Sequence, residues 1–383
     1  HRTLSLRTYR ETNHRSTGVP QRKKNARILL EDGTEFEGYA FGHEKSAAGE
    51  LTVFTGQPDP VRLLTDPAVR GTIVLLPQPL TGATGAPPNE MDEFNLERFQ
   101  ESPACQAAGL ITSQVPTEVF HYQAKKTFPR WLKTQQIPGI YGVDTRALVQ
   151  RVMMRGTLRA KILVGENRDV SFAAAQGHNQ SSHVSVKSPV SYGTGKRKII
   201  LVDCGTRNSV IRALLAPDIT VLRVPYSYDY SAGNYDGIFI AGGPGDPTTC
   251  EKTCAVLRKA LARDTPVFAT GQGAVILALA AGATPYRMAC GHRSTSVPCI
   301  NLENGRCYIT AQNHGYGIRD DSLPVGWYPT FLNNTDNSLE GFAAKKGLIS
   351  GVFFNPEGNP GPDDTAFLHE SFVSLVRNGG LSE

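Results

Sequence analysis

The stretch Pro266-Val-Phe-Ala-Thr-Gly-Gln-Gly-Ala-Val275 passes from an apolar run, Pro266–Ala269, through two glycines into a helical stretch, Ala274–Ala281. The same alternation precedes it. Apolar runs at Ile199–Val202, Thr220–Val224 and Gly237–Ala241 are interleaved with helical stretches at Asn208–Leu215 and Cys250–Arg263. Strand–helix alternation at this spacing predicts a mostly parallel sheet covered on both faces. Ligands in such folds sit outside the carboxyl ends of the strands. That directs attention to Gly242–Pro247, to Ala269–Ala274 and to the loop around Asn313.

Upstream, the pattern is different. Ile28–Leu30 leads into Glu31-Asp-Gly-Thr34, whose Asp-Gly pair signals a hairpin turn. Further apolar runs follow at Leu51–Phe54 and Thr72–Leu76, and Leu148 and Val152 share one face of a helical stretch at Arg146–Arg155. Ser188–Lys198 is polar and rich in Gly and Ser, and reads as a linker. The expectation is an α/β chain in three parts: a basic extension at 1–26, a β-rich domain at 27–190 and a doubly wound domain at 191–383.

Composition agrees with two globular domains: 383 residues, 40% apolar and 20% charged. The longest nearly uninterrupted apolar stretch, Gly273–Ala283, has 11 residues, short of the roughly 20 that a membrane-spanning helix needs. The seven cysteines are too dispersed for a zinc framework and suit a reducing compartment. No cofactor and no metal site is expected. The net charge of +5 is unevenly placed. Arg2, Arg7, Arg10, Arg15, Arg22, Lys23, Lys24 and Arg27 face a single acid, Glu11, whereas the remainder holds 32 bases and 34 acids. Such a tail suits import into an organelle, and equally a basic arm on phosphates or on an anionic membrane.

The motifs are specific enough to name a family. In the first part they are Leu30-Glu-Asp-Gly-Thr34, Ala48-Gly-Glu50, Leu64-Thr-Asp-Pro67, Pro87-Pro-Asn-Glu-Met-Asp92 and Gly142-Val-Asp-Thr-Arg146. In the second they are Asp203-Cys-Gly205 with Asn208, Gly243-Pro-Gly-Asp-Pro247, Gln312-Asn-His-Gly315 and Pro360-Gly-Pro362. In this order and spacing, the chain resembles the glutaminase (small) subunit of carbamoyl-phosphate synthetase from about Arg27 to Leu375. The resemblance implies a β-rich small-subunit domain followed by a class I glutamine amidotransferase domain.

Active members attack the glutamine amide with a cysteine thiolate at a strand-to-helix elbow, using a histidine base that a glutamate orients. Counting from Pro266-Val-Phe268, the nucleophile position is Gly271, and the base of the His-Pro-Glu motif is Asn355 in Asn355-Pro-Glu357. Glycine has no side chain, and an asparagine amide does not titrate near neutral pH. Glu357 therefore lacks the imidazole it would orient. Of the implied glutamine pocket, Gly243, Gly245, Asn313, Gly315 and Tyr316 match the family, whereas Ala68, Gln272 and Val275 depart from it. Thr270, or Cys290 or Cys299 with His292, could stand in for the missing groups, although a core or surface role is expected of them; His314 reads as structural. Asp59-Pro60, Pro77-Gln-Pro79 and Gly82-Ala-Thr-Gly85 depart from segments read as touching a synthetase partner.

The expected role is thus a catalytically dead member: a pseudoenzyme serving as a structural subunit of a larger mitochondrial assembly, with the mitochondrial ribosome and its rRNA as partner. The alternative is an inactive glutaminase moiety supporting an ammonia-dependent carbamoyl-phosphate synthetase. A live hydrolase with relocated machinery is the third reading.

Overall fold

In the computed structural model, residues 23–165, 169–172 and 179–380 are described. The basic-tail residues Arg2, Arg7, Arg10, Arg15 and Arg22 lie outside them; Lys23, Lys24 and Arg27 are exposed at the start of the first strand.

The first half is a closed barrel of seven strands in the order β1-β2-β6-β5-β4-β3-β7. These are β1 (Ala26–Leu30), β2 (Glu35–Gly42), β3 (Ala47–Val53), β4 (Thr72–Leu76), β5 (Gly109–Thr112), β6 (Pro138–Tyr141) and β7 (Arg159–Val164). The Asp-Gly turn does close a β1–β2 hairpin, with Ile28 opposite Phe36 and the Asp32 carboxylate accepting from the Thr34 N–H. Inward residues of the strands, among them Ile28, Ile73, Ile111, Ile140 and Ile162, fill the barrel. Helices α1 (Pro60–Thr65), α2 (Phe128–Thr134) and α3 (Thr145–Arg155) pack outside it. Asp144 caps α3, and Leu148 and Val152 are its buried stripe.

A short helix, α4 (Ser181–Val184), leads into a ten-stranded sheet. Its parallel centre is β9 (Arg197–Asp203), β10 (Ile219–Pro225), β11 (Gly237–Ile240), β12 (Val267–Thr270) and β17 (Ile349–Val352). Helices α5 (Asn208–Leu214), α6 (Glu251–Ala260), α7 (Gln272–Ala281) and α8 (Phe367–Asn378) cover the two faces. Two sequence expectations need correction. The linker contains an exposed edge strand, β8 (Val190–Tyr192), antiparallel to β10; its three residues are too short and too polar to signal themselves. The region of Asn313 is no loop: it lies in β14 (Cys307–Ile318), paired antiparallel with β13 (Pro285–Asn301). With β15 (Trp327–Asn333) and β16 (Leu339–Ala344), these strands extend the sheet past β17 in antiparallel fashion. Bulges at Arg287/His292 and Ser294/Val297 break the period-2 pattern there.

The two halves are joined by backbone and buried charge. The Thr55 and Thr157 N–H groups donate to the Arg293 and Ala289 carbonyls at 3.1 and 3.0 Å, so β13 reaches over the barrel rim. Glu101 is fully buried; it accepts from Arg62 at 2.8 Å and from the Ser209 N–H at 2.9 Å, in the first turn of α5. Glu101→Gln turns an amide N–H₂ toward one of these donors. Thermal melting should show a loss of about 2 kcal/mol, and limited proteolysis should cut between the halves faster than in wild type.

Candidate functional site

The parallel strands β9, β11, β12 and β17 end side by side, and the residues just past their carboxyl ends meet. After β12 the chain turns into α7 at Gly271, whose φ of 54° and ψ of −133° are open to glycine and strained for any other residue. Its N–H donates to the Val352 carbonyl at 2.9 Å. A Cβ placed there would lie 3.8 Å from Oδ1 of Asn355, with the Gly242 Cα at 3.6 Å. The elbow and the base position therefore face each other, but present a hydrogen atom and a carboxamide. The loop after β11 is equally constrained: a Cβ at Gly243 would overlap the Cys204 carbonyl oxygen. Gln272 donates to the Pro244 carbonyl at 3.1 Å, tying that loop to the first turn of α7.

Glu357 has other partners. Its carboxylate is ion-paired with Arg207 and accepts from His369 Nε2 at 3.2 Å, and all three side chains are buried. Burial alone would raise its pKa, yet Arg207 and His369 hold it down to about 2. Arg207 also donates to the Asn359 carbonyl at 2.8 Å and lies 4.0 Å from Asp66. Burial pushes Asp66 upward against that guanidinium. Arg207 was not singled out from the sequence. The available signal was an arginine one residue before the Asn208 motif, at the end of a strand buried on both faces.

Above the elbow, a cleft of about 810 Å³ opens between barrel and sheet. Ala68, Gly243, Gly245, Gln272, Val275, Asn313, Gly315 and Tyr316 all line it, beside Arg70, Arg287 and Arg293. Gly271 and Asn355 do not. They line a separate cavity of about 20 Å³, room for roughly one water, which shares Ala68, Gly243, Gln272 and Asn313 with the cleft. The space at the elbow is thus small and set apart from the cleft.

The rescue candidates are not brought together. Thr270 is buried in β12. Cys290 donates to the Val152 carbonyl, and Cys299 bonds Thr310 and Gln312 while burial pushes its thiol up. Among the described residues, the thiols bond to hydroxyl, amide and carbonyl groups and not to an imidazole. His292 and His314 instead meet each other at Glu340.

Residues 28–162 match the family "Carbamoyl-phosphate synthase small chain, CPSase domain", and residues 200–375 match "Glutamine amidotransferase class-I". The chain is 36% identical over 386 residues to the carbamoyl phosphate synthase arginine-specific small chain of Debaryomyces hansenii, covering 97% of this chain and 90% of that one. Against its counterpart in Aspergillus fumigatus the figures are 36% over 369 residues, 94% and 82%. It is 40% identical over 360 residues to human carbamoyl-phosphate synthase (ammonia), mitochondrial, covering 93% of this chain and 24% of that protein. The chain spans about a quarter of the length of the mammalian relatives it matches.

These relatives overturn one expectation. They are carbamoyl-phosphate synthase chains, which removes the reading of a pseudoenzyme built into the mitochondrial ribosome, and with it rRNA or an anionic membrane as partners. The tail charge on which that reading leaned falls largely outside the described residues. The segments read as altered docking residues serve the local fold: Asp59 caps α1 by accepting from the Val61 and Arg62 N–H groups, and Gln78 donates to the Thr55 carbonyl. They are poor grounds for setting a synthetase partner aside.

Arg207→Met strands Glu357 and Asp66 as buried carboxylates, and chemical denaturation at pH 7 should show a loss of about 3–5 kcal/mol. Glu357 titrates at about 2 in the fold against an ordinary 4.5, so its stabilising share is complete above about pH 5 and is lost as pH falls toward 2. The gap between wild type and variant should therefore narrow as pH falls through that window.

Proposed function

The chain belongs to the carbamoyl-phosphate synthase small-chain family, and we propose that it is a glutaminase-type module that does not hydrolyse glutamine. It would support a synthetase large chain that draws on free ammonia. One observation carries this reading: at the elbow, the backbone of Gly271 faces the carboxamide of Asn355. Hydrolysis by this fold needs a nucleophile to form the acyl-enzyme and a base to move its proton. Neither position offers one. The remaining carboxylate, Glu357, is neutralised by Arg207, and the space at the elbow admits about one water. The retained positions shape backbone, as at Gly243, so the fold survives the loss of chemistry.

The partner and the compartment belong to the same proposal. The mammalian relatives are named carbamoyl-phosphate synthase (ammonia), mitochondrial, and residues 1–27 have the Arg-rich, acid-poor composition of a mitochondrial targeting segment. Support for the synthetase need not be chemical: a folded small chain can cover and brace a partner's surface without turnover.

The purified protein incubated with glutamine should release ammonia no faster than buffer. Gly271→Cys alone should stay silent as well, because Asn355 cannot take up the thiol proton. Glutamine-dependent ammonia release by the wild type would overturn the reading. When co-expressed with a synthetase large chain, the small chain should co-purify with it, and the complex should make carbamoyl phosphate from ammonium but not from glutamine.

A further inference from the structure

Away from the elbow, β13, β14 and β16 bring His292, His314 and Glu340 together, with one ligand-type atom of each within 4.8 Å of the others. Hydrogen-bonding chemistry fixes how the rings are used. His314 Nδ1 faces the Tyr316 carbonyl oxygen at 2.9 Å. A carbonyl only accepts, so Nδ1 carries the hydrogen. His314 Nε2 then faces two oxygens, Gln312 Oε1 at 3.1 Å and Glu340 Oε2 at 3.4 Å. A bare ring nitrogen aimed at two acceptors is repelled unless a cation stands among them. Glu340 Oε2 is itself buried and without a hydrogen-bond partner.

His292 poses the same problem. Its Nδ1 lies 2.7 Å from Glu340 Oε1 and its Nε2 lies 2.9 Å from Asp336 Oδ2, so both nitrogens face carboxylates. Satisfying both rings with protons alone needs two imidazolium ions with centroids 5.1 Å apart, sharing one buried glutamate. A single divalent ion supplies the same charge from one point.

We propose that His292 Nδ1, His314 Nε2 and the Glu340 carboxylate form a site for a divalent transition ion of the zinc class. Two imidazoles and a carboxylate are the donor set that such ions take, at about 2.0–2.2 Å per ligand. The outer groups agree. With the ion on Nδ1, His292 Nε2–H donates to Asp336, and His314 Nδ1–H donates to Tyr316; these are the carboxylate and carbonyl partners that orient metal-bound imidazoles. Asp336 is half-exposed and marks the way in. Asn333 points its amide N–H₂ at this cluster, because its Oδ1 accepts from the Thr335 N–H. It cannot be a ligand, which leaves Gln312 Oε1 or water for the fourth position. The ion would clamp the strands that present Asn313 and Gly315 to the cleft.

The test uses the full chain, stripped with chelator and then titrated with Co²⁺ and Zn²⁺. One equivalent of Co²⁺ should bind, with visible absorption typical of four- or five-coordination, and Zn²⁺ should displace it. His292→Ala should abolish that equivalent, and Asp336→Ala should weaken it by about 10–100-fold. Both positions are at least partly exposed, so circular dichroism should report folded protein where Glu340→Gln risks misfolding. Absence of stoichiometric binding to the folded wild type, or unchanged affinity in His292→Ala as cysteine binding would give, overturns the proposal.

Discussion

A cation buried among carboxylates holds this molecule's centre together. Arg207 stands where β9 turns toward α5, and around it lie Glu357 from beyond β17 and Asp66 from the barrel side. Glu101, nearby, is paired with Arg62 and with the α5 backbone. Removing such charges from water costs several kcal/mol each, which the cluster offsets only while every member is present. The arrangement therefore couples elbow, barrel and C-terminal segment. It also gives Glu357 a structural task, balancing Arg207 and His369.

Much of the fold was legible in the sequence because its signals are local. The Asp-Gly turn, the Asp144 cap with Leu148 and Val152, and the spacing of apolar runs from Ile199 to Ala269 are each decided by residues close in sequence. The antiparallel extension was less legible. Along β13, two bulges and a half-buried surface erase the alternation that marks a strand, and β14 does not alternate regularly either, so Asn313 read as loop. Edge strand β8 has only three residues to announce itself.

The candidate site divides the same way. Gly271 and Asn355 were identified by counting along motifs, and the backbone brings their positions face to face. Arg207 was missed because its partners are 141 and 150 residues away in sequence, and no spacing encodes such a contact. His292 was weighed only as a possible partner for a thiol. Its actual neighbours are Asp336, in the β15–β16 turn, and Glu340, in β16 beyond it. The ribosomal expectation had a different fault: it drew a partner from net charge, which reports attraction to any polyanion and identifies none.

The turn at residue 271 carries a consequence for drift. With φ at 54°, every residue bearing a β-carbon is held in a conformation that costs on the order of 1 kcal/mol, and glycine is free of that penalty. Any substitution that adds a side chain at this turn therefore starts at a disadvantage in stability. A thiol placed there would have to outweigh that penalty while facing the carboxamide of Asn355 across the cavity.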